Sequence, residues 1–370
     1  MKSKYDYLIV GAGLFGATFA YEMTRRNKKC LVIDKRSHVG GNVYTKSVHG
    51  INVHVYGAHI FHTSDETVWK FVNGFARFNG FVNSPIADFN GERYPLPFNM
   101  NTFRKLWKDV KTEADARAKI ASQTMGYHPE TAKNLKEKAI SFVGREIYEK
   151  LIEGYTEKQW GRPCEELPPF IIERVPLRFT YDNNYFNDAY QGVPVGGYTA
   201  MIENMLVGSD VLLGTPYKKF VNKYGSVSNA VIYTGAIDEY FDYRLGKLDF
   251  RTLKFETVAM DVADFQGNAV VNYTSKKVPY TRVIEHKHFE NARTNVTVVT
   301  KEYPAEYSDG CEKFYPVNDE KNERLYAEYA ELAKTVKKVY FCGRLGSYKY
   351  FDMDDTVKNA ADLAEELESN

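Results

Sequence analysis

The sequence predicts an α/β protein in three parts: a domain built on a parallel sheet, an inserted helical domain and a domain built on an antiparallel sheet. A strand-like run at Tyr5–Val10 leads through glycines and a helical stretch into a second run at Cys30–Asp34, which is the order of a βαβ unit. From Thr102 to Glu157, charged and apolar residues alternate at helical spacing. Four later runs are rich in β-branched and aromatic residues and are separated by turns.

These patterns place individual elements. The first helix is expected at Ala17–Arg26, and the helical domain carries apolar residues at helical spacing, as at Leu135, Ala139, Phe142 and Val143. The strands expected in the antiparallel sheet are Leu253–Val262, Asn268–Tyr273, Tyr280–His286 and Thr297–Glu302. A buried strand at Val339–Cys342, ending at Gly343, and a helix at Thr356–Leu367 follow near the carboxyl end.

A chain of 370 residues is long for one compact core, so several domains are expected. The parallel-sheet domain is predicted to be discontinuous and to comprise residues 1–85, about 193–245 and 330–370. The helical domain is predicted at about 98–165. The antiparallel-sheet domain is predicted at about 166–192 plus 246–329, with a mobile loop near 168–178.

Charge and cysteine usage exclude several functional classes. Lys and Arg number 49 against 48 Asp and Glu, so no basic surplus indicates a nucleic-acid or anionic-membrane partner. Four cysteines without a C-x-x-C pair favour reduced, buried thiols over a disulfide framework or a zinc site: Cys30, Cys164, Cys311 and Cys342. Met1–Lys4 leads directly into a strand pattern, with neither a signal-peptide pattern nor a long apolar stretch, so a soluble cytoplasmic protein is expected.

The first turn carries a glycine motif, Gly11-Ala12-Gly13-Leu14-Phe15-Gly16, between the first strand and the first helix. In this context Gly11 permits a tight turn, Gly13 lets a pyrophosphate approach the backbone, and Gly16 lets helix and strand pack closely. The N–H groups at the helix start then face the phosphates. The motif predicts a Rossmann-like dinucleotide site; the alternative is a glycine-rich turn in an ordinary α/β protein.

Asp34 and the residues after it indicate which dinucleotide binds. Asp34 ends the second strand, where a carboxylate accepts hydrogen bonds from an adenosine ribose and repels a 2′-phosphate, so FAD or NAD is favoured over NADP. The basic Lys35 and the pair Gly40-Gly41 resemble the second fingerprint of flavoproteins of the glutathione-reductase and amine-oxidase type. Pro194–Tyr198 resembles a further element of that superfamily, and no second G-x-G-x-x-G appears. We therefore expect a Rossmann-like FAD-binding domain.

A second group of segments is rich in arginine, tyrosine and tryptophan. Guanidinium groups bind phosphate oxygens, phenols add donors and flat rings stack on a base, so this composition suits a nucleotide diphosphate. For any one residue, the alternative that the ring is core and the arginine is solvated stays open. The segments are 155–161, 174–180, 182–186 and 343–350, with Asn272, Arg282 and Tyr315.

Several long motifs in these regions closely resemble the bacterial UDP-galactopyranose mutases, a flavoprotein family. The motifs are Gly-Ala-His-Ile-Phe-His-Thr at 57–63, Gly-Tyr-Thr-Glu-Lys-Gln-Trp-Gly at 154–161, Ile-Glu-His-Lys-His-Phe at 284–289, and Gly-Arg-Leu-Gly with Asp352-Met353-Asp354. The resemblance runs from the first strand to the last helix. It implies an FAD-dependent isomerase that interconverts UDP-galactopyranose and UDP-galactofuranose, supplying galactofuranose for cell-surface polysaccharide such as lipopolysaccharide, and that is a homodimer.

The resemblance also implies a mechanism without net redox change. N5 of reduced FAD attacks C1 of galactose, UDP leaves, and a flavin–sugar iminium forms and recloses through the other hydroxyl. The protein then supplies binding, orientation and electrostatics, because the cofactor is the nucleophile. No Ser-His-Asp, Cys-His or paired-carboxylate arrangement stands out in the sequence, which agrees with that division of labour.

Site residues follow from the matching motifs. Arg174 and Arg282 are expected to hold the diphosphate, Arg174 from the loop near Pro168-Pro169 that closes over substrate. The substrate-binding residues implied are Asn83, Leu151, Tyr155, Thr156, Trp160, Arg174, Tyr185, Asn272, Arg282, Tyr315 and Tyr350. The cofactor-binding residues implied are Gly11, Gly13, Phe15, Gly16, Asp34, Lys35, Gly41, Asn42, His59, Ile60, Pro216, Tyr217, Arg344, Asp352, Met353, Asp354 and Thr356. Leu151 stands where some members have Phe against the uridine, and Asp34 replaces a commoner Glu.

The histidines allow two interpretations. His59 with His62, or His286 with His288, could form a metal pair, but no cysteine or carboxylate pattern completes either set, so no metal is expected. The resemblance places the loop of His59 and His62 against the flavin, where one of them tunes N5 or relays a proton. Two alternatives to the mutase remain: a flavin oxidoreductase of the amine-oxidase type and a non-catalytic nucleotide-sugar-binding flavoprotein.

Overall fold

The computed structural model of the chain describes residues 4–173 and 175–369. The strands are β1 Tyr5–Val10, β2 Cys30–Ile33, β3 Thr45–Val48, β4 Ile51–His54, β5 Phe61–Thr63, β6 Ile86–Phe89, β7 Glu92–Pro95, β8 Tyr190–Gly192, β9 Asp210–Leu212, β10 Ser228–Tyr233, β11 Phe250–Met260, β12 Val270–Tyr273, β13 Arg282–Glu285, β14 Thr297–Glu306, β15 Tyr315–Pro316 and β16 Val339–Phe341. The α-helices are α1 Leu14–Thr24, α2 Glu66–Asn73, α3 Met100–Leu106, α4 Glu113–Ala121, α5 Leu135–Val143, α6 Arg145–Ile147, α7 Glu153–Trp160, α8 Tyr198–Met205, α9 Tyr217–Tyr224, α10 Ile237–Tyr240, α11 Glu320–Ala333, α12 Gly343–Gly346 and α13 Met353–Ser369.

The first sheet is parallel, with strand order β16-β10-β1-β2-β9. It confirms the predicted βαβ opening, although α1 begins at Leu14, directly after the glycine turn, and not at Ala17. β1 and β2 occupy the middle of the sheet, where apolar residues such as Ile9 and Val32 are fully buried. β16 is an edge strand with intermediate burial, so the prediction of a buried strand there is wrong in that respect.

The second sheet has the order β15-β11-β14-β13-β12-β6-β7. The predicted strands pair antiparallel as expected, and β12 then pairs with β6 in parallel. The hairpin β6–β7 therefore extends a sheet whose other strands come much later in the chain. Both of its strands are four residues long and lack the run of β-branched residues that predicted the later ones.

Helices α3 to α7 enclose a separate apolar core around Phe103, Trp107 and Tyr148. Leu135, Ala139 and Val143 are buried as their spacing predicts, and Phe142 is half-buried. Asn99 and Thr112 begin α3 and α4 with capping boxes, in which each side chain accepts a hydrogen bond from the first turn. The mixed α/β fold with one parallel and one mainly antiparallel sheet is thus as predicted.

Cys30, Cys164 and Cys342 are buried free thiols, as expected. Cys311 is half-buried and lies beside the Ser308 hydroxyl, so the expectation of four buried thiols fails at this position, which belongs to an exposed turn after β14. Among the helices of residues 4–173 and 175–369, none combines the length and the apolar character that a membrane crossing needs.

Candidate active site

Two glycine turns face each other at the carboxyl end of the parallel sheet. Gly11 has φ +113°, and a Cβ on Gly16 would lie 2.0 Å from the Gly11 carbonyl oxygen, so both glycines are required by the backbone. Gly13 pairs with Gly40, whose N–H donates to the Ala12 carbonyl at 2.8 Å. A Cβ on Gly41 would lie 2.9 Å from the Gly13 Cα. The turns form a narrow backbone cradle that a side chain would fill, which fits a dinucleotide pyrophosphate.

Asp34 lies beside this cradle at the end of β2. Its Oδ2 accepts the Ala12 N–H at 2.8 Å, and its Oδ1 accepts the Arg36 N–H at 2.8 Å. The Thr215 N–H donates to the Asp34 carbonyl at 2.7 Å, which brings the predicted adenine segment, Pro216 and Tyr217, next to this carboxylate. The residues expected to bind the adenosine half of the cofactor are therefore neighbours in space.

Arg36, which the sequence did not single out, organises the other side of the cradle. Its Nη2 donates to Asn42 Oδ1 at 3.0 Å and to Glu312 Oε2 at 2.8 Å, and its guanidinium lies 4.4 Å from the centre of the Tyr56 ring. The predicted cofactor residue Lys35 also pairs with Glu312, at 3.2 Å. Arg36 holds Asn42 in place and links the parallel-sheet domain to the segment before β15.

The loop before β5 carries His59 and Ile60, and His59 is close to Arg344 and Arg282. Burial lowers the pKa of His59 to about 4, and the nearby charges of Arg344 and Arg282 add to this effect. His59 is therefore a neutral imidazole at neutral pH, and its Nδ1 lies 2.8 Å from the Gly57 carbonyl. His62, on β5, stacks on Phe186 and its Nδ1 lies 2.7 Å from Asp188 Oδ2.

Arg282 is the centre of the predicted diphosphate site. Its Nη2 donates to the Tyr155 hydroxyl at 3.1 Å and its Nε donates to Asn272 Oδ1 at 3.3 Å. Its Nη1 lies 3.5 Å from Glu302 Oε2. Burial alone would lower the pKa of Arg282, but Glu302 and the tyrosine hydroxyls outweigh it and raise the pKa, so the guanidinium stays charged.

Tyr315, Tyr350 and Arg344 extend this cluster. The two tyrosine rings stack with their centres 6.4 Å apart, and the Arg344 guanidinium lies 6.0 and 5.7 Å from them. Burial raises the pKa of Tyr315 to about 12, so its hydroxyl remains a hydrogen-bond donor at neutral pH. Charge interactions link Tyr315 to Arg282 as well. Two guanidinium groups and two phenols thus converge in one region, an arrangement that suits anionic ligands.

Sequence reasoning missed Glu302 and Arg251, which share one face of the antiparallel sheet with Arg282. Glu302 lies opposite Arg282 in the β13–β14 register, and Arg251 lies opposite Tyr315 in the β11–β15 register. Glu302 is 4% exposed, and its Oε1 finds no hydrogen-bond partner within the described chain. Only the pairing register reveals both residues, because neither belongs to a motif that could be recognised in the sequence.

Arg251 is 8% exposed, and its Nε donates to the Gln159 carbonyl at 3.1 Å. Across residues 4–173 and 175–369, no carboxylate lies within ion-pair distance of it. Together with Trp160 it lines a cavity of about 600 Å³ between the end of α7 and the antiparallel sheet. This cavity contains one of the predicted substrate residues and a buried cation, so it adjoins the candidate site.

The remaining predicted substrate residues have different surroundings. The Tyr185 N–H donates to the Asn83 carbonyl at 2.8 Å, so these two predicted residues are neighbours. Thr156 is buried on α7. Leu151 is 5% exposed and packs in the helical core, and its contact with substrate stays a prediction. Arg174 lies outside the described residues.

The start of α13 carries four of the predicted cofactor residues. α13 begins at Met353, and the Thr356 N–H donates to the Asp352 carbonyl at 3.0 Å, so the predicted residues Asp352, Met353, Asp354 and Thr356 form its first turn. Phe15 lies 3.9 Å from where a Cβ on Gly343 would be. The segment after β16 and the start of α1, which follows the glycine turn, are therefore neighbours.

Two carboxylates lie beside His288 in the fold, although the sequence pattern indicated no such set. One ligand atom from each of Asp264, Glu285 and His288 lies within 4.8 Å of the others. Glu285, however, is fully buried and accepts hydrogen bonds from the N–H groups of Phe265 and Gln266 at 2.9 and 2.8 Å. Its oxygens tie the segment before β12 to β13, so the cluster has a structural role.

We expect Glu285→Gln to lower the free energy of unfolding by about 2–4 kcal/mol, because it removes a buried charged acceptor. Burial disfavours the ionised form, but His288, whose Nε2 lies 3.3 Å from Glu285 Oε2, and hydrogen bonds from Thr297 and two backbone N–H groups outweigh it and lower the Glu285 pKa to about 2. This stabilisation is present above the unfolded pKa near 4.5 and is lost as pH falls toward about 2. Denaturant unfolding at acid and neutral pH measures it.

Asp264→Asn is the matched control, because Asp264 lies 3.6 Å from His288 but is half exposed. We expect it to cost less than about 1 kcal/mol. Glu285 and Asp264 raise the pKa of His288 above 6.5, so the contribution of His288 is present below that pH and fades as pH rises through the folded-state pKa. Equal losses in the two variants would contradict the assigned role of Glu285.

Comparisons with known proteins show which family this chain resembles. The UDP-galactopyranose mutase family profile matches residues 150–350, and that of an NAD(P)-binding Rossmann-like domain matches residues 9–75. A probable UDP-galactopyranose mutase from Klebsiella pneumoniae is 38% identical over 370 residues, covering 99% of this chain and 95% of the relative. A dTDP-fucopyranose mutase from Escherichia coli is 38% identical over 376 residues, covering 97% of each chain. A UDP-galactopyranose mutase from Mycoplasma pneumoniae is 31% identical over 394 residues, covering 99% and 96%.

Solved structures share the fold. The crystal structure of a reduced UDP-galactopyranose mutase superposes with a TM-score of 0.76 at 13% identity, covering 99% of this chain and 96% of that one. A putrescine oxidase superposes with a TM-score of 0.61 at 12% identity, covering 99% of both chains. The likeness to the oxidase is one of fold, while the family profile and the full-length relatives are specific. The chain belongs to the UDP-galactopyranose mutase family of isomerases.

Proposed function

We propose that this enzyme interconverts UDP-galactopyranose and UDP-galactofuranose with FAD bound in the glycine cradle. The observation that carries the proposal is the position of Arg282. It contacts Tyr155 on the helical side and Asn272 on the sheet, while its charge also acts on His59, which precedes β5 near the cofactor residues. These contacts support a diphosphate clamp close to the predicted flavin site.

The residues present fit FAD. The glycine cradle leaves space for a pyrophosphate, Asp34 offers a carboxylate at the ribose position, and Pro216 lies beside it for the adenine. Bound and reduced, the flavin would supply the nucleophile for C1 of the sugar. The neutral His59 and the charged Arg344 would border the flavin on the protein side.

The chain's own contribution is binding and charge stabilisation. Arg282, with Tyr155 and Tyr315, would hold the diphosphate and stabilise the negative charge that develops as UDP separates from the sugar. Asn272 and Glu302 keep the guanidinium in one orientation, so little reorganisation is needed. We propose that Arg174 adds a second guanidinium to this clamp.

A second substrate pair, dTDP-fucopyranose and dTDP-fucofuranose, is also a candidate. The Escherichia coli dTDP-fucopyranose mutase is as similar in sequence as the Klebsiella pneumoniae relative, at 38% over nearly full length. Fucose lacks the 6-hydroxyl of galactose, and the dTDP nucleoside lacks the ribose 2′-hydroxyl. Discrimination therefore depends on a few polar contacts around the sugar and the ribose.

The deciding experiment measures conversion of both furanose nucleotides by chromatography, with the purified holoenzyme as isolated and after anaerobic reduction with dithionite. Turnover of UDP-galactofuranose that requires reduction supports the proposal. Preferential turnover of the dTDP sugar would move the assignment to the second candidate. Oxygen consumption that depends on substrate would instead indicate an oxidase, and binding without conversion would indicate a sensor.

We further propose that the enzyme is a cytoplasmic homodimer and that its product serves cell-surface polysaccharide synthesis. These proposals rest on the family alone. Light scattering of the holoenzyme tests the dimer, and a deletion strain analysed for galactofuranose in its surface glycans tests the role.

His62→Ala should lower kcat by about 100-fold with little change in UDP affinity, if the imidazole relays a proton at the flavin. Asp188 and Phe186 fix this ring, so Asp188→Asn should retain the stacking of His62 on Phe186 and lower kcat by less than His62→Ala does. Steady-state kinetics of the reduced enzyme measures both, with exposed His128→Ala as the control. Unchanged turnover in His62→Ala would remove the proposed role.

A further inference from the structure

Lys158, on α7, has an unusual set of partners. Its Nζ donates to the backbone carbonyl oxygens of Tyr273 and Ser275 at 2.8 and 2.9 Å. It also donates to those of Val278 and Tyr280 at 3.2 and 2.9 Å. These four carbonyls, which belong to the last residue of β12 and to the turn between β12 and β13, form a carbonyl cage. An ammonium has three N–H donors, so its capacity is used up inside the cage.

The helix and the turn are in backbone contact around this cage. A Cβ on Gly154 would lie 2.3 Å from the Thr274 carbonyl oxygen, so only glycine allows the approach. The Thr274 hydroxyl donates to the Lys150 carbonyl at 2.7 Å. On the outer side, exposed Lys276 pairs with Glu157 at 2.7 Å. The cage is thus the central polar link of a close contact between α7 and the sheet.

This contact joins the two surfaces that carry the candidate diphosphate site. Tyr155 lies on α7 three residues before Lys158, while Asn272 and Arg282 lie on the two strands that the turn connects. The hydrogen bond of 3.1 Å between Arg282 and the Tyr155 hydroxyl therefore spans the two surfaces that the cage joins. A shift of α7 relative to the turn would change this distance directly.

We propose that the carbonyl cage is a monovalent-cation site that the Lys158 ammonium occupies, and that Lys158 is the positioning residue that sets Tyr155 against Arg282. Four uncharged oxygens converging on one point suit a cation of single charge. Within the described chain, no carboxylate lies within ion-pair distance of Lys158, so the carbonyls alone compensate its charge. Burial lowers the Lys158 pKa to about 8, which leaves the ammonium protonated at neutral pH.

Lys158→Ala empties the cage. The side-chain atoms that it removes correspond to n-propylammonium, so this ion can fill the space that the variant leaves. In this variant we expect faster hydrogen exchange of the amides at 273–281. We also expect UDP binding to be weaker by at least about tenfold, an expectation that rests on the proposed function. Added n-propylammonium chloride should slow the exchange and restore UDP affinity, while 1-propanol should do neither. Exchange mass spectrometry and calorimetry on the holoenzyme measure these effects.

Lys276→Ala is the matched control, since it removes an exposed ammonium from the same helix–turn contact. It should change UDP affinity by less than about threefold. If n-propylammonium slows exchange in Lys158→Ala but neither this variant nor the unaltered enzyme binds UDP, the result would support the cage and count against the proposed function. No rescue by n-propylammonium, or equal rescue by 1-propanol, would overturn the cation site. An equal loss of affinity in Lys276→Ala would overturn the positioning role.

Discussion

Arg282→Lys is expected to lower kcat/KM by about 100- to 10,000-fold, although the positive charge is retained. Lysine is a point charge on a flexible stem and cannot reproduce the fixed fork that reaches Tyr155, Asn272 and Glu302 together. Two lost charge-assisted hydrogen bonds correspond to roughly 3–6 kcal/mol, which sets that range. Steady-state kinetics of the reduced enzyme and UDP titration measure the loss.

Arg93→Lys is a suitable control, because Arg93 lies at the far end of the same sheet and donates to the Gln266 carbonyl at 2.7 Å. We expect its kcat/KM to stay within about twofold of the unaltered enzyme. Flavin content and the thermal midpoint should be unchanged in both variants. A normal kcat/KM in Arg282→Lys would show that a single positive charge is sufficient there, and the proposed clamp would have to be abandoned.

The parts of the fold that could be predicted are those in which neighbours in sequence determine structure. The glycine turn after β1 and the helical spacing around Leu135 and Ala139 are local signals, and the structure contains both features. The β6–β7 hairpin was missed because its place beside β12 depends on pairing with residues almost 200 positions away. Such pairing leaves no periodic signal in the short strands themselves.

The candidate site divides in the same way. Tyr155, Asn272 and Arg282 were found through motifs, and the structure places them in contact. Glu302 and Arg251 were missed, because only the register of β14 and β15 against their neighbours brings them beside that cluster. Leu151 was implied by a motif position; apolar packing buries its side chain in the helical core, and its contact with a ligand stays a prediction.

Gly13→Ala and Gly16→Ala form a pair in which the same added methyl group should have different consequences. At Gly16 the new Cβ would lie 2.0 Å from the Gly11 carbonyl oxygen, so the backbone must move and we expect unfolding to be easier by more than about 3 kcal/mol. At Gly13 its nearest neighbour would be the Gly41 Cα at 3.6 Å, an ordinary contact, and the backbone is extended at φ −83°. The apoprotein should therefore tolerate Gly13→Ala.

FAD binding, in contrast, should not tolerate Gly13→Ala. The methyl group at Gly13 projects between the two glycine turns, where we propose that the FAD pyrophosphate passes, so the flavin content of purified Gly13→Ala should fall to less than about a tenth. Flavin absorbance per protein and the thermal midpoint of the apoprotein separate the two effects. A Gly13→Ala protein that is stable without flavin, beside a Gly16→Ala protein that does not fold, would assign one glycine to cofactor approach and the other to backbone packing. Full flavin occupancy in Gly13→Ala would mean that the pyrophosphate runs elsewhere.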